Sequence, residues 1–275
     1  MDSVNSISEA ASLRLRDLNA VLATGVREDG RKLDEYRNID IKTNLYEKAD
    51  GSAMVRIGNT VAVAGIKIAR GAPFPDTPND GVLTVSLELL PHASPDFEPG
   101  PPDEGAIEMS RVVDRGLRES KSIKYDELCI IPGKSVWIIY VDVYALDHDG
   151  NLQDAAGLAA LAAVLTAKLP EVKIEGDTVT ELETKRPIPI VETPVPVTVA
   201  KVGDHLLVDP SAAEEEVSSV RVTMTTIESG VVASIQKSGS DSITMEEALK
   251  IYDLAFARAK EIRGKLTAAL GVSPA

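Results

Sequence analysis

Arg111, Arg115 and Arg118 recur at four- and three-residue spacing inside PGPPDEGAIEMSRVVDRGLRESKS, so on a helix turning about 100° per residue they share one stripe. A guanidinium offers forked donors that match phosphate oxygens, and three of them with no lysine between suit a polyanionic backbone. A solvated face stitched by helical ion pairs is the competing reading. Glu108 stands three residues before Arg111, and Asp114 four before Arg118. Across the helix Ala106, Met109, Val113, Gly116, Leu117 and Ser120 form a packing face. Pro101 and Pro102 followed by Asp103 and Glu104 predict where this helix starts, since proline lacks a donor the first turn does not use and acids suit the positive dipole end.

A second group with chemical potential is Asp209-Pro210 with Glu214, Glu215 and Glu216, carboxylates that could hold Mg²⁺ or move protons. On sequence alone a charged helix start is the better account of them. His92, His148 and His205 stand in separate segments without metal-ligand spacing or a partner serine or cysteine in a nucleophile elbow, and read as loop or surface residues. Asp147-x-Asp149-Gly150-Asn151 places its glycine two positions too early for a calcium loop, and Leu158 stands where the bidentate glutamate belongs. There is no P-loop and no dinucleotide fingerprint, so no metal and no cofactor is expected.

The totals bound the partners. Lys+Arg 29 against Asp+Glu 43 gives a net charge of −14, which disfavours nonspecific adhesion to nucleic acid or an anionic membrane, so RNA would need a local patch. At 275 residues, 44% apolar and 26% charged, the chain can bury a large core. Cys129, the single cysteine, lies in LCII and reads as a small buried hydrophobe; no internal disulfide is possible. The opening residues show no secretory signal and the run Ala155 to Ala167 is too short to span a bilayer, so the expected location is cytoplasmic, with no membrane partner.

The elements that must carry these groups follow from periodicity. Ile7, Ala11, Leu15, Leu18 and Leu22 predict an opening amphipathic helix ending near Gly25. Arg27, Arg31 and Arg37 surround a turn and read as structural pairs. Strands are expected at 39–45, as a hairpin over 53–65, at 82–89 and at 135–146, followed by a buried alanine-rich helix over 154–168. Residues 169–196 lose periodicity and gain proline, which marks a connection. Strands at 200–208, 220–226 and 231–236 then precede a long helix opened by Thr244 and Glu247 as a capping box. Ala200–Val208 can be laid over Val55–Val63 with the glycine turn in register, suggesting an internal duplication. Strands then helix, twice, is an α+β pattern.

These residues resemble the ribonuclease PH-like proteins and, among them, the non-catalytic subunits of the archaeal exosome core ring. The resemblance rests on RxDGRxxxxxR at 27–37, ADGSAMVRIGNT at 49–60, DTPNDG at 76–81, SLELLP at 86–91, FEPGPPDEGAIEMSRVVDRGLRES at 97–120, PGKSVW at 132–137 and VDPSAAEEE at 208–216. It implies a ribonuclease PH-like fold of two related halves, at 31–168 and 197–275, joined by a connecting segment at 169–196 and preceded by a helical extension at 1–30. It implies, too, a ring built as a trimer of heterodimers with a catalytic ribonuclease PH-like paralogue. RNA-binding cap subunits would sit on the ring, and single-stranded RNA would be degraded 3′→5′ by phosphorolysis.

Active relatives carry a Gly-Ser/Thr-Arg phosphate loop where this chain has Asn151-Leu152-Gln153, and two aspartates six apart where it has Asp209 and Glu215. Leu152 lacks a hydroxyl, Gln153 lacks a charge, and Asp154 adds a negative group at a helix start that an anion would otherwise favour. The resemblance therefore implies a subunit with no catalytic residues of its own, with Arg111, Arg115 and Arg118 facing RNA. A self-sufficient phosphorolytic enzyme with a divergent phosphate site is the alternative.

Overall fold

In the computed structural model, residues 9–176 and 178–271 are described, with side chains from residue 13. The chain opens with α1 (Glu9–Leu22), whose Leu18 and Leu22 are buried; Ile7 lies outside the described residues. A first sheet follows from β1 (Ile39–Thr43), β2 (Gly51–Ile57), β3 (Thr60–Gly71), β4 (Val82–Leu89), β5 (Cys129–Ile131) and β6 (Ser135–Asp147). Its order is β1-β2-β3-β6-β4 with β5 beside β6, and β4 is the strand that runs parallel to its neighbour. The parallel pairing needs a crossover, and α2 (Glu104–Glu119) supplies it.

The second sheet, of order β10-β9-β11-β12, is built from β9 (Val195–Val202), β10 (His205–Val208), β11 (Val220–Thr226) and β12 (Val232–Ser238). Between the sheets runs α3 (Leu152–Thr166), buried from Leu152 to Val164 apart from Gln153. Alanine and Gly157 make this possible: small side chains let the helix touch strands on both sides, and Pro196 of β9 sits where a Cβ on Gly157 would go. On the far face of the second sheet, α5 (Met245–Ala269) starts with the expected capping box of Thr244 and Glu247 and buries Ile251, Ala255, Ala259 and Ile262. Between β10 and β11 lies the short α4 (Ala212–Val217).

The hairpins proposed as duplicates have the same register. Ile57 pairs with Thr60 and Val202 with His205, and Gly58 and Gly203 each hold the first turn position with φ of 58°. One stretch departs from expectation. The sequence predicts an aperiodic connection over 169–196, yet β7 (Lys168–Glu175) and β8 (Thr178–Pro187) form an antiparallel hairpin there. Most of its side chains are solvated, so no buried face imposes an apolar alternation, and only backbone pairing marks the strands. No described helix is long and apolar enough to cross a membrane.

Candidate functional site

The helix carrying the arginines begins at Glu104, two residues after Pro102, so the prolines precede its first turn. Asp103 is its cap, accepting from the Ala106 N–H at 2.7 Å, and Pro101 and Pro102 lie outside it. Ala106, Val112, Val113, Gly116 and Leu117 are buried, with Gly116 close against Thr225 of β11, so the opposite stripe is turned outward as the spacing predicted. Ser110 donates to the carbonyl of Val85 at 2.7 Å and ties the helix to the edge strand β4.

The three arginines are not equivalent. Arg111 is exposed and makes no ion pair among the described residues, because Glu108, its expected partner, accepts instead from Gln236 Nε2 at 2.8 Å. Arg115 is half-buried, and its Nη2 donates to Gln236 Oε1 at 2.6 Å. Arg118 forms the expected pair with Asp114 at 2.9 Å. Burial lifts the Asp114 carboxyl above its usual range despite Arg118 and Arg111 nearby. With Thr84 and Val85 of β4 the stripe lines a surface groove of about 350 Å³. Gln236, which holds Arg115 from a distant strand, carries no sequence signal that could have found it.

A second polar centre lies where α3 begins. Asn151, with φ of 52°, caps the helix in a left-handed conformation that asparagine tolerates, so α3 starts two residues before the expected Asp154. Its amide donates to Asp154 Oδ2 and Asp209 Oδ1, both at 2.8 Å, and its backbone N–H donates to Glu215 Oε1 at 3.0 Å. Gly150, with φ of 83°, lets this turn lie against Pro210 to Ala212, where a Cβ would fall 2.3 Å from the Ser211 carbonyl carbon.

The carboxylates after β10 do not converge on an ion. Asp209, fully buried, accepts from Asn151, from Arg31 Nη1 at 3.0 Å, from Arg37 Nη2 at 2.8 Å, and from the Arg37 Nε and backbone N–H. A carboxylate has about four lone-pair sites, so these donors use all of its capacity. Glu214 closes a capping box with Ser211 and pairs with buried Arg27, while Glu215 pairs with Arg221 at 3.2 Å and Glu216 with Arg14 at 3.4 Å. Arg27, Arg31 and Arg37 are thus structural pairs, and the group is a charged helix start. Among the described residues no cluster of His, Cys, Asp or Glu could hold a metal.

Asp154 is buried in the same network. It accepts from the Tyr36 hydroxyl at 2.6 Å, from Asn151, and from the Thr198 N–H and hydroxyl at 2.9 and 2.8 Å. Burial outweighs these donors and pushes its carboxyl up to about 6. Beside the network opens a cleft of about 310 Å³ lined by Asp96, Asp103, Glu108 and Glu215 with Arg221. An inorganic anion entering it meets more carboxylates than guanidiniums, and Glu215 already sits on the helix-start N–H. His148, expected at the surface, stacks on Phe97 at 5.4 Å beside this cleft. Cys129 is half-buried, its thiol pushed up by burial and by Asp80.

The family model described as "3′ exoribonuclease family, domain 1" matches residues 35–170, and "3′ exoribonuclease family, domain 2" matches 192–258. The chain belongs to the 3′ exoribonuclease family, the ribonuclease PH-like proteins. Across 263 residues it is 50% identical to the exosome complex component Rrp42 of Thermococcus onnurineus, covering 95% of this chain and 97% of that one. Its fold matches a chain of the Archaeoglobus fulgidus exosome solved with RNA bound to the active site, with a TM-score of 0.86 and 42% identity over 93% of this chain and 98% of that one. A chain of an archaeal exosome core matches with a TM-score of 0.82 and 38% identity, covering 94% and 98%. The expected mixed α+β ribonuclease PH-like fold is the one observed.

Proposed function

We propose that this chain is a non-catalytic, RNA-binding subunit of an archaeal-type exosome, pairing with an active ribonuclease PH-like chain in a six-membered ring that degrades RNA 3′→5′ by phosphorolysis. The observation that carries the reading is the filled polar centre at the start of α3. Glu215 takes the helix-start N–H that a phosphate would use, and the donors of Arg31, Arg37 and Asn151 saturate Asp209. Near neutrality a phosphate ion is charged, so that carboxylate repels what the reaction requires.

The arginine stripe is the part the subunit contributes. Arg111, Arg115 and Arg118 line the RNA path and contact its backbone, with Arg111 the most available because it is exposed and makes no ion pair among the described residues. The strongly acidic remainder confines RNA to that stripe. Cap subunits on the ring and a cytoplasmic location complete the reading, supported by the likeness to archaeal exosome chains and by a lone cysteine in no disulfide.

Incubating the purified chain with poly(A) and phosphate, alone and with its active partner, tests the assignment. Nucleoside diphosphates are expected only from the mixture. Their release by the chain alone returns the self-sufficient enzyme.

A further inference from the structure

Two depressions of opposite character flank α2. On the β4 side Arg111, Arg115 and Arg118 line the groove of about 350 Å³, and on the β12 side Glu108 lines the cleft of about 310 Å³ with Asp96, Asp103 and Glu215. Gln236 of β12 stands where they meet. Its Oε1 accepts from Arg115 Nη2 at 2.6 Å, and its Nε2 donates to Glu108 Oε1 at 2.8 Å.

Both ends of that bridge bear on the arginine row. Arg115 Nε is buried without a partner, and Gln236 is the guanidinium's one hydrogen-bond partner among the described residues, so this amide is the polar contact that orients the group. Glu108 stands three residues before Arg111, the spacing of a helical ion pair, yet Arg111 is exposed and makes none among the described residues. The bridge holds the carboxylate aside.

The chemistry required at position 236 is narrow. A carboxylate of that length would hold Arg115 but cancel its charge, and a cation would hold Glu108 but repel Arg115. An amide offers an acceptor and two donors without charge, so it serves both neighbours and leaves the row cationic. Register aims it. Gln236 pairs with buried Thr223, whose hydroxyl lies 2.8 Å from that of Thr198 on the α3 side of the sheet, and strand neighbours alternate faces.

We infer that Gln236 is a positioning residue for the arginine row: it aims Arg115 and keeps Glu108 off Arg111, so that both guanidiniums meet RNA phosphates uncancelled. The inference rests on the reading that the row contacts RNA. It gives that row a support on a strand 121 residues away in sequence.

The test uses the ring assembled with the active partner and filter binding of single-stranded RNA across a salt series. Gln236→Met removes both bonds and keeps the length of the side chain, and melting checks that the fold is retained. Affinity is expected to fall about tenfold and the salt slope by about 0.7, as though a phosphate contact were lost, although no charge has been removed. Adding Glu108→Gln to that variant takes away the freed carboxylate, and the slope should return to the wild-type value. Glu108→Gln by itself should leave the slope near wild type, because the carboxylate is already held aside.

A merely structural tether predicts lower melting with wild-type affinity and slope for Gln236→Met, and that result overturns the inference. So does a slope that stays low in the double variant. A slope raised by Glu108→Gln alone overturns it as well, whether or not Gln236→Met folds. Arg111→Ala combined with Arg115→Ala separates this from the underlying reading. If that variant binds RNA as wild type does, the row does not contact RNA and both readings fall; if it weakens binding while Gln236→Met does not, only the role of Gln236 falls.

Discussion

The Glu215 carboxylate accepts the backbone N–H of Asn151 at 3.0 Å, so the first turn of α3 is served by an anion that the chain itself supplies. A free phosphate must displace it, and also oppose Asp96, Asp103 and Glu108 around the same cleft.

Phosphate should therefore show no saturable binding to the isolated chain in a calorimetric titration at millimolar concentrations. Glu215→Gln removes the resident charge while keeping an acceptor for the Asn151 N–H, so weak binding is expected to emerge. Tight phosphate binding by the wild type would contradict the account.

The arginine row should respond in a graded way within the assembled complex. Arg111→Ala removes an unpaired cation and should weaken single-stranded RNA binding most, lowering the salt slope by about 0.7 while leaving melting within about 0.5 kcal/mol of wild type. Arg118→Ala should do less, because Asp114 already neutralises that guanidinium. Filter binding across a salt series checks the order; affinity and salt slope unchanged from wild type in both variants would restore the solvated-face reading.

Arg115→Ala should add a stability cost. Its Nη2 bond to Gln236 helps hold α2 to β12, and that amide also serves Glu108, so truncation should cost about 1 kcal/mol in chemical unfolding.

Asp209 is expected to matter for folding. Replacing it with alanine leaves Arg31 and Arg37 without their buried counter-charge, a change that costs about 3–5 kcal/mol. Urea unfolding of Asp209→Ala gives the number, and a loss under about 1 kcal/mol would mean the clasp carries little.

Much of this was legible in the residues because local rules and tertiary context agree there. The span of β4, the capping box of α5 and the outward arginine stripe of α2 all follow from periodicity and cap chemistry. What stayed hidden depends on long-range partners. Gln236 reaches Arg115 from 121 residues away, and Glu108 turns to that glutamine and leaves Arg111 without its helical neighbour. The β7–β8 hairpin stayed hidden for another reason: a solvated ribbon buries no face, so its sequence carries no alternation.

Asp154 gives the sharpest pH signature. Its carboxyl, buried by α3 and β9, is pushed up to about 6 from its ordinary value of 3.8. Between those values the folded chain binds more proton than the unfolded one, so this group favours the fold below about pH 4. That contribution is lost as pH rises to about 6, and at about 1.4 kcal/mol per pK unit the loss approaches about 3 kcal/mol. Asp154→Asn removes the titration. Its amide oxygen can keep the Tyr36, Asn151 and Thr198 N–H donors, and its NH₂ can donate to the Thr198 hydroxyl, which then turns to Thr223, 2.8 Å away. The variant should equal or exceed wild type in stability at pH 7, with the difference closing as pH falls towards 4. Urea midpoints of the two chains across that range decide it, since acid effects elsewhere are common to both and cancel, and a difference that stays constant with pH would remove Asp154 as the source.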